Sequence, residues 1–119
     1  MDRILERQAL AALDFTTVHG GGTFEGRTML PFTPRDGYAV AIGGMTFKAT
    51  DVTPDVLAWA CRAVTGEWDT AFAGTWVDDG VFYIDAVQYV SNRDRAMALG
   101  REHAQKAIYD FEAQEVITL

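Results

Sequence analysis

The dipeptide Asp79-Gly80 constrains the fold of this chain more than any other feature of the sequence. It lies between two arms rich in β-branched and aromatic residues, TAFAGTWVD and VFYIDAVQYV. Asp-Gly between such arms is typical of a β-hairpin loop, because both loop positions of the favoured turn need a positive φ. The predicted register follows directly: Asp78 lies opposite Val81, Trp76 opposite Tyr83, Gly74 opposite Asp85, Phe72 opposite Val87 and Thr70 opposite Tyr89.

The predicted hairpin has two chemically different faces, because side chains alternate across a strand. The small-residue face suits close packing of helices and carries Ala71, Ala73, Thr75, Val77, Phe82, Ile84, Ala86 and Val90. The opposite face, called the aromatic face below, carries Phe72, Gly74, Trp76, Tyr83, Asp85, Val87 and Tyr89. The sequence leaves three roles open for the aromatic face: it is covered by other parts of the chain, it contacts a partner, or it forms the floor of a ligand site.

The segment before the hairpin predicts helices and strands with recognisable ends. Residues 2–13 predict a short amphipathic helix capped by Asp2, and residues 15–18 a brief extended piece. Residues 23–30 predict an edge strand or a hairpin bent at Glu25-Gly26. Residues 38–42 and 45–48 predict two strands joined by a turn at Gly43-Gly44. A helix is expected from Thr53-Pro54, an N-cap followed by proline, to Gly66, a typical residue at a helix C-terminus.

The segment after the hairpin completes the predicted fold. Ser91-Asn92-Arg93-Asp94 resembles a capping box and predicts a helix through about Lys106. Residues 108–111 and 115–119 predict a short terminal hairpin. From Tyr38 onward the order is therefore the βαββαβ pattern of ferredoxin-like domains. We expect an α+β, ferredoxin-like antiparallel sheet with two helices on one face and an added N-terminal helix and strand, which could cover part of the other face. The alternative is a more irregular α+β fold in which the N-terminal strands extend the same sheet.

Size and composition favour one folded domain spanning residues 1–119. The chain has 119 residues and 49% hydrophobic residues, enough to build a core. Its lone Cys61 has no partner for an internal disulfide, which indicates a reducing compartment. Charged residues interrupt the N-terminus where a signal peptide needs an apolar segment, and no apolar run approaches the roughly 20 residues of a membrane-spanning helix. We therefore expect a cytoplasmic protein without membrane contact.

The acidic charge of the chain argues against nucleic-acid binding. The formal net charge is −7, and the excess lies entirely after residue 50, where twelve acidic residues face five basic ones. An acidic surface repels phosphate backbones, so we expect no nucleic-acid partner, including by base stacking on an open sheet. The sequence leaves two interpretations of this surplus open. It mimics a nucleic acid toward a basic partner, or it only keeps the protein in solution.

No motif in the chain predicts catalysis, a metal or a cofactor. His19-Gly20-Gly21-Gly22 is similar to the turn that builds an oxyanion hole in some lipases, but the only serine, Ser91, has no GxSxG context. His19, His103 and the acidic residues show no metal-ligand spacing. Cys61 lies on the apolar face of its predicted helix, so we interpret it as a core residue. We expect no cofactor, no metal and no catalytic residue.

The region Gly74–Phe111 contains a Gly-Thr-Trp-Val-Asp hairpin, a Tyr-Ile-Asp strand and a passage from an Arg-Ala helix to an Ala-Ile-Tyr-Asp strand. In these features it resembles small uncharacterised proteins of actinobacteria and of their phages and plasmids. It covers about a third of the chain and brings no established activity or catalytic residue with it. It implies a phage or mobile-element accessory protein.

Two hypotheses about function come from the aromatic face. The first is a non-enzymatic protein that binds a host protein or another copy of itself through a surface rich in Trp and Tyr, which are common in interface hot spots. The second is a small enzyme or ligand-binding domain centred on Asp85, because a carboxyl group among aromatic rings is expected to have a raised pKa. The predicted binding residues are Phe72, Trp76, Tyr83, Asp85 and Tyr89.

Overall fold

Residues 2–119, the part that the computed structural model describes, form three α-helices and one six-stranded sheet. In chain order the elements are α1 (Arg3–His19), β1 (Gly21–Glu25), β2 (Tyr38–Lys48), a short 3-10 helix (Ala49–Asp51), α2 (Pro54–Glu67), β3 (Phe72–Asp78), β4 (Val81–Val90), α3 (Arg93–Glu102), β5 (Ala107–Asp110) and β6 (Glu115–Thr118). The strands lie in the order β1-β3-β4-β2-β5-β6, and every neighbouring pair is antiparallel.

The hairpin β3–β4 has the register that Asp79-Gly80 predicts. Asp78 pairs with Val81, Trp76 with Tyr83 and Gly74 with Asp85. Both loop residues have positive φ, 48° at Asp79 and 77° at Gly80, as the favoured two-residue turn requires. The predicted pair of Thr70 and Tyr89 is not part of the ladder, since β3 begins at Phe72.

The α+β class is confirmed, whereas a ferredoxin-like strand order is not. The sheet has six strands within residues 2–119, because β1 extends it beside β3 and β6 extends it beside β5. The added N-terminal strand thus lengthens the sheet instead of covering it. The terminal strands β5 and β6 pair as the expected hairpin.

All three helices pack on the small-residue face of the sheet. Buried side chains of α1 and α2, such as Ala12 and Leu57, share a core with Ala73, Ile84 and Ala86. Farther along the sheet, Ala96 of α3 packs in a second cluster with Val40 and Ile108. The suggestion that the N-terminal helix covers the aromatic face is therefore wrong, because α1 lies on the opposite side.

Helix α1 continues through residues 15–18, where an extended piece was expected. The hydroxyls of Thr16 and Thr17 donate to the Ala12 and Leu13 carbonyls one turn earlier, at 2.9 Å in each case. The Thr16 hydroxyl also lies 2.6 Å from that of Thr75 in the sheet. These β-branched residues are thus kept helical by contacts that local propensity does not include. The helix ends at Gly20, which adopts a φ of 86°.

The predicted turn at Gly43-Gly44 is wrong, because both glycines lie inside the continuous strand β2. The strand pairs with β4 over its whole length, and the register shifts by one residue between Ala41 and Gly43. This β-bulge places Ile42 in the core under the helices, and a β-carbon on Gly43 would collide with the Trp68 indole there. Gly44 consequently returns to the aromatic face.

The predicted helix starts are confirmed and the predicted ends need correction. Thr53 and Asn92 cap α2 and α3 by accepting hydrogen bonds from backbone N–H groups three residues later. Helix α2 passes Gly66 and ends at Glu67. Helix α3 ends at Glu102, before the predicted end near Lys106, and His103 beyond it is exposed.

Candidate functional site

One end of the aromatic face is covered by the loop between β1 and β2. The Phe32 ring of this loop stacks on Phe72, with centroids 3.9 Å apart and planes 12° from parallel. The same ring meets Tyr89 and Phe111 edge-on, at 5.3 and 5.8 Å. Residues 31–37, rather than the N-terminal helix, therefore cover this end of the sheet.

Tyr89 holds the covering loop in place and is only partly available to a partner. Its hydroxyl donates to the Asp36 carbonyl at 2.9 Å, and its ring lies directly against Gly37. Desolvation, and secondarily the neighbouring Asp36 carboxylate, raise the pKa of the Tyr89 phenol. Phe72 and Tyr89, both predicted as binding residues, thus belong mainly to a packed aromatic cluster.

The other end of the aromatic face is open and carries the exposed side chain of Trp76. Trp76 is 47% exposed and lies between Gly21 on β1 and Tyr83 on β4. Its indole leans over Gly21, where an added β-carbon would come within 2.7 Å of Cε3. The absence of a side chain at Gly21 therefore lets the indole lie flat on the edge of the sheet.

Asp85 lies between two glycines in the middle of the sheet. In the register, Gly74 on β3 and Gly44 on β2 are its direct neighbours on either side. The carboxylate leans toward Gly44, where an added β-carbon would collide with Oδ1. The row Gly74–Asp85–Gly44, called the glycine trough below, lacks side chains other than the carboxylate. Trp76 and Tyr83 border it on one side, and Phe72 and Val87 border it on the other.

The Asp85 carboxylate has no partner among the residues that the structure describes. It is half-buried, and burial raises its pKa from an ordinary 3.8 to about 6. No tyrosine hydroxyl, indole or backbone N–H donates a hydrogen bond to it within residues 2–119. Residues 2–119 contain no fully buried side-chain oxygen or nitrogen without a hydrogen bond, so its oxygens still reach solvent. The trough thus presents an accessible negative charge that the fold leaves uncompensated.

The remaining candidate groups lie away from the trough. His19 ends α1 and stacks against Phe15 at 4.2 Å, and Cys61 is completely buried in the helix core, where desolvation raises its thiol pKa to about 12. Gly20 caps α1 and Gly21 begins β1, so the glycine cluster has a structural role. No group of three His, Cys, Asp or Glu side chains suited to a metal ion occurs within residues 2–119.

Larger concave surfaces lie beside the helices and do not reach Asp85. A groove of about 490 Å³ at the start of α1 and another of about 810 Å³ at the end of α2 share Arg27 and Arg62 in their walls. Both are wide and open to solvent. The glycine trough instead places a half-buried carboxylate without a hydrogen-bond partner beside aromatic residues of neighbouring strand positions, so we regard it as the candidate site.

Sequence reasoning located the centre of the site and missed two of its parts. The hairpin register predicts Gly74 beside Asp85, but the sequence pattern places Gly44 in a turn and gives Phe32 no role. The only sequence signal for Phe32 was its apolar character between Pro31 and Pro34. Of the five predicted binding residues, the structure brings Trp76, Tyr83 and Asp85 together at the open end. Phe72 and Tyr89 lie at the covered end.

Comparisons with known proteins add no relative. No family model, no curated protein and no solved structure matches this chain. Within the described residues, no helix has both the length and the apolar character needed to cross a membrane.

Proposed function

We propose that this chain is a non-enzymatic binding protein whose glycine trough receives a lysine or arginine side chain of a cellular protein. The observation that carries the proposal is the half-buried Asp85 carboxylate, which has no partner among the described residues and lies beside exposed Trp76. A buried charge without a partner reduces stability, and an incoming cation offsets that cost.

The walls of the trough fit the same ligand. A guanidinium or ammonium group over Gly44 would lie near the ring of Tyr83, two residues from Asp85 on β4, and the face of such a ring attracts cations. The aliphatic part of the incoming side chain would contact Val87, which leans over Gly74. The missing side chains at Gly44 and Gly74 provide the room for it.

The acidic hairpin tip and the exposed indole extend this binding surface. Asp78 and Asp79 are exposed at the loop that follows Trp76. Trp is the residue most enriched at interface hot spots, and a rim of acidic residues speeds association with a basic partner. The resemblance of Gly74–Phe111 to proteins of actinobacterial phages and plasmids supports a mobile-element accessory role, with a host protein as the partner.

Affinity capture from an actinobacterial extract, followed by mass spectrometry, tests the proposal. We expect a protein that wild type retains and Trp76→Ala loses. Trp59→Ala is the matched control, because Trp59 is also exposed, at 61%, but lies on α2 on the helix side of the sheet. A partner retained equally by wild type and Trp76→Ala would count against the aromatic face.

A defined probe tests the chemistry of the trough without knowledge of the partner. Titration with N-acetyl-arginine methylamide, followed by NMR, should shift the signals of Asp85, Gly44 and the Trp76 indole in the millimolar range. The citrulline analogue has the same shape without the charge and should shift them far less. Equal shifts with both compounds would refute recognition of a cation.

Two other uses of the aromatic face give different results. Self-association through this face predicts a dimer that Trp76→Ala dissociates.

The second candidate function is a small enzyme or ligand-binding domain centred on Asp85. It is favoured by the Asp85 pKa of about 6, which suits a group that exchanges protons near neutral pH. It predicts a small molecule that protects the trough in the absence of any protein partner.

We also propose that the four inner strands and helices α2 and α3 constitute a ferredoxin-like unit with an added strand at each edge. The relative order β3-β4-β2-β5 and the position of both helices on one face support this. A variant that ends after Gln114 lacks β6 but keeps the buried Phe111, and it would test whether this edge strand is dispensable. Loss of cooperative unfolding would show that β6 belongs to the core unit.

A further inference from the structure

Helix α1 carries a mostly apolar stripe of exposed residues next to its core-facing side, where the ring of Phe15 still meets the buried Phe24 edge-on. Ile4 is 68% exposed, Phe15 41% and Val18 76%. With Gln8 and Ala11 they form a series at positions 4, 8, 11, 15 and 18, so the spacing alternates between four and three residues. That spacing matches the a and d positions of a heptad, the pattern by which one helix packs along another. Ala9, Ala12 and Thr16 lie on a different side of the helix, where they are buried against the rest of the protein.

We propose that this stripe binds the same stripe of a second copy of the chain, with the two α1 helices antiparallel. This contact is independent of the proposed function, since it uses the opposite side of the sheet. In this stripe Gln8 and Phe15 occupy a positions, and Ile4 and Ala11 occupy d positions. In antiparallel packing, the a positions of one helix lie beside the d positions of the other. Ile4 then lies against the partner's Phe15, and Gln8 against the partner's Ala11.

The charges beside the stripe are complementary to those of a second copy of the chain, which is why we propose a second copy as the partner. Arg7 and Asp14 both occupy the heptad g position, which faces the partner's g position in an antiparallel pair. In the register that joins Ile4 with Phe15, each Arg7 lies opposite Asp14 of the other copy. The pairing is reciprocal, as a two-fold symmetric interface requires.

The overall charge of the helix also permits this contact. The protein carries −7, so most of its surface repels another copy. Within α1, Arg3 and Arg7 balance Glu6 and Asp14, so the helix is neutral when His19 is uncharged. The helix is 17 residues or about 25 Å long. One helix on each side buries less than the roughly 800 Å² per partner of a standard interface, so we expect a dissociation constant of roughly 10–100 µM.

Sedimentation velocity between 10 µM and 1 mM tests the proposal with a charge swap. Arg7→Glu and Asp14→Arg should each weaken the dimer roughly tenfold, because each replaces two attractions by two repulsions. The double variant should restore it. Helicity by circular dichroism should be kept, because glutamate and arginine are both good helix formers. Arg93→Glu is the control for Arg7→Glu. It changes the net charge of the protein by the same amount but lies on α3, so it should leave dimerisation unchanged.

Three outcomes overturn the proposal. The first is a monomer up to 1 mM. The second is a dimer that Arg7→Glu and Asp14→Arg leave intact. The third is a double variant as weak as the single ones. Trp76→Ala separates this contact from the proposed function, since it should abolish host-protein capture and leave the α1 dimer intact.

Discussion

Replacement of Asp85 by asparagine should stabilise the folded protein at neutral pH. The side chain is half-buried between Gly44 and Gly74, and no hydrogen bond or ion pair among the described residues compensates its charge. Asparagine has nearly the same shape and no charge. We therefore expect the variant to lose an electrostatic penalty without creating a cavity.

The size and the sign of the effect follow from the pKa. Burial raises the pKa of Asp85 from 3.8 to about 6, so the folded protein binds this proton more tightly than the unfolded chain. The stability that the proton contributes is complete below pH 3.8 and is lost as the pH rises through about 6. A shift of about two pH units corresponds to about 3 kcal/mol. Because the carboxylate still contacts water, we expect about 1–2 kcal/mol at pH 7.

Urea denaturation of wild type and Asp85→Asn at intervals from pH 4 to pH 8 measures the difference. The free energies of unfolding should be similar near pH 4, should diverge in favour of the variant between pH 4 and about pH 6, and should differ by a constant amount at higher pH. Taking the difference between the two proteins cancels every other titrating group. Asp78→Asn removes an exposed carboxylate on the neighbouring strand and serves as the control for the loss of one negative charge. A difference that is independent of pH, or a variant less stable at pH 7, would refute the reasoning.

Three further substitutions and one chemical probe test other parts of the structure. Thr16→Val should lower the free energy of unfolding by about 1–2 kcal/mol, because it removes the buried hydrogen bond to Thr75, and Thr16→Ser should retain most of it. Gly80→Ala should cost about 1 kcal/mol by denaturation, since φ is 77° there but an added methyl group meets no atom within 4 Å. Gly44→Ala should cost more than Gly80→Ala and should move the NMR signals of Asp85, because the methyl group collides with the carboxylate and with the β4 backbone. Cys61 should react with a thiol reagent only at the rate of unfolding, because it is fully buried and its pKa is about 12. Rapid labelling of the folded protein would show that the core opens locally.

Local chemistry was sufficient to predict the hairpin and the helix starts. The loop Asp79-Gly80 needs residues that accept a positive φ, and its position alone determines the register of β3 and β4. The caps of α2 and α3 likewise depend on side chains within three residues of the backbone groups they bind. The sequence also indicated Trp76, Tyr83 and Asp85 as members of one face, because alternation along a strand does not depend on the rest of the fold.

Features that depend on distant parts of the chain were decided by the tertiary structure. Gly43-Gly44 has the composition of a turn, and only its pairing with β4 keeps it inside a strand. Thr16, Thr17 and Val18 have β-branched side chains, and a contact of Thr16 with Thr75, 59 residues away, accompanies their helical form. The order of the strands placed β1 and β6 at the edges of the sheet.

The site shows the same division between local and distant causes. By itself the sequence determined that a carboxylate lies among aromatic residues on one face of a hairpin, since that follows from the strand period of two. The tertiary structure decided that Gly44 completes the trough, that Phe32 covers only one end, and that all three helices leave the Trp76 end open. These outcomes depend on which segments meet across the sheet, and short-range preferences of the backbone carry no information about such contacts.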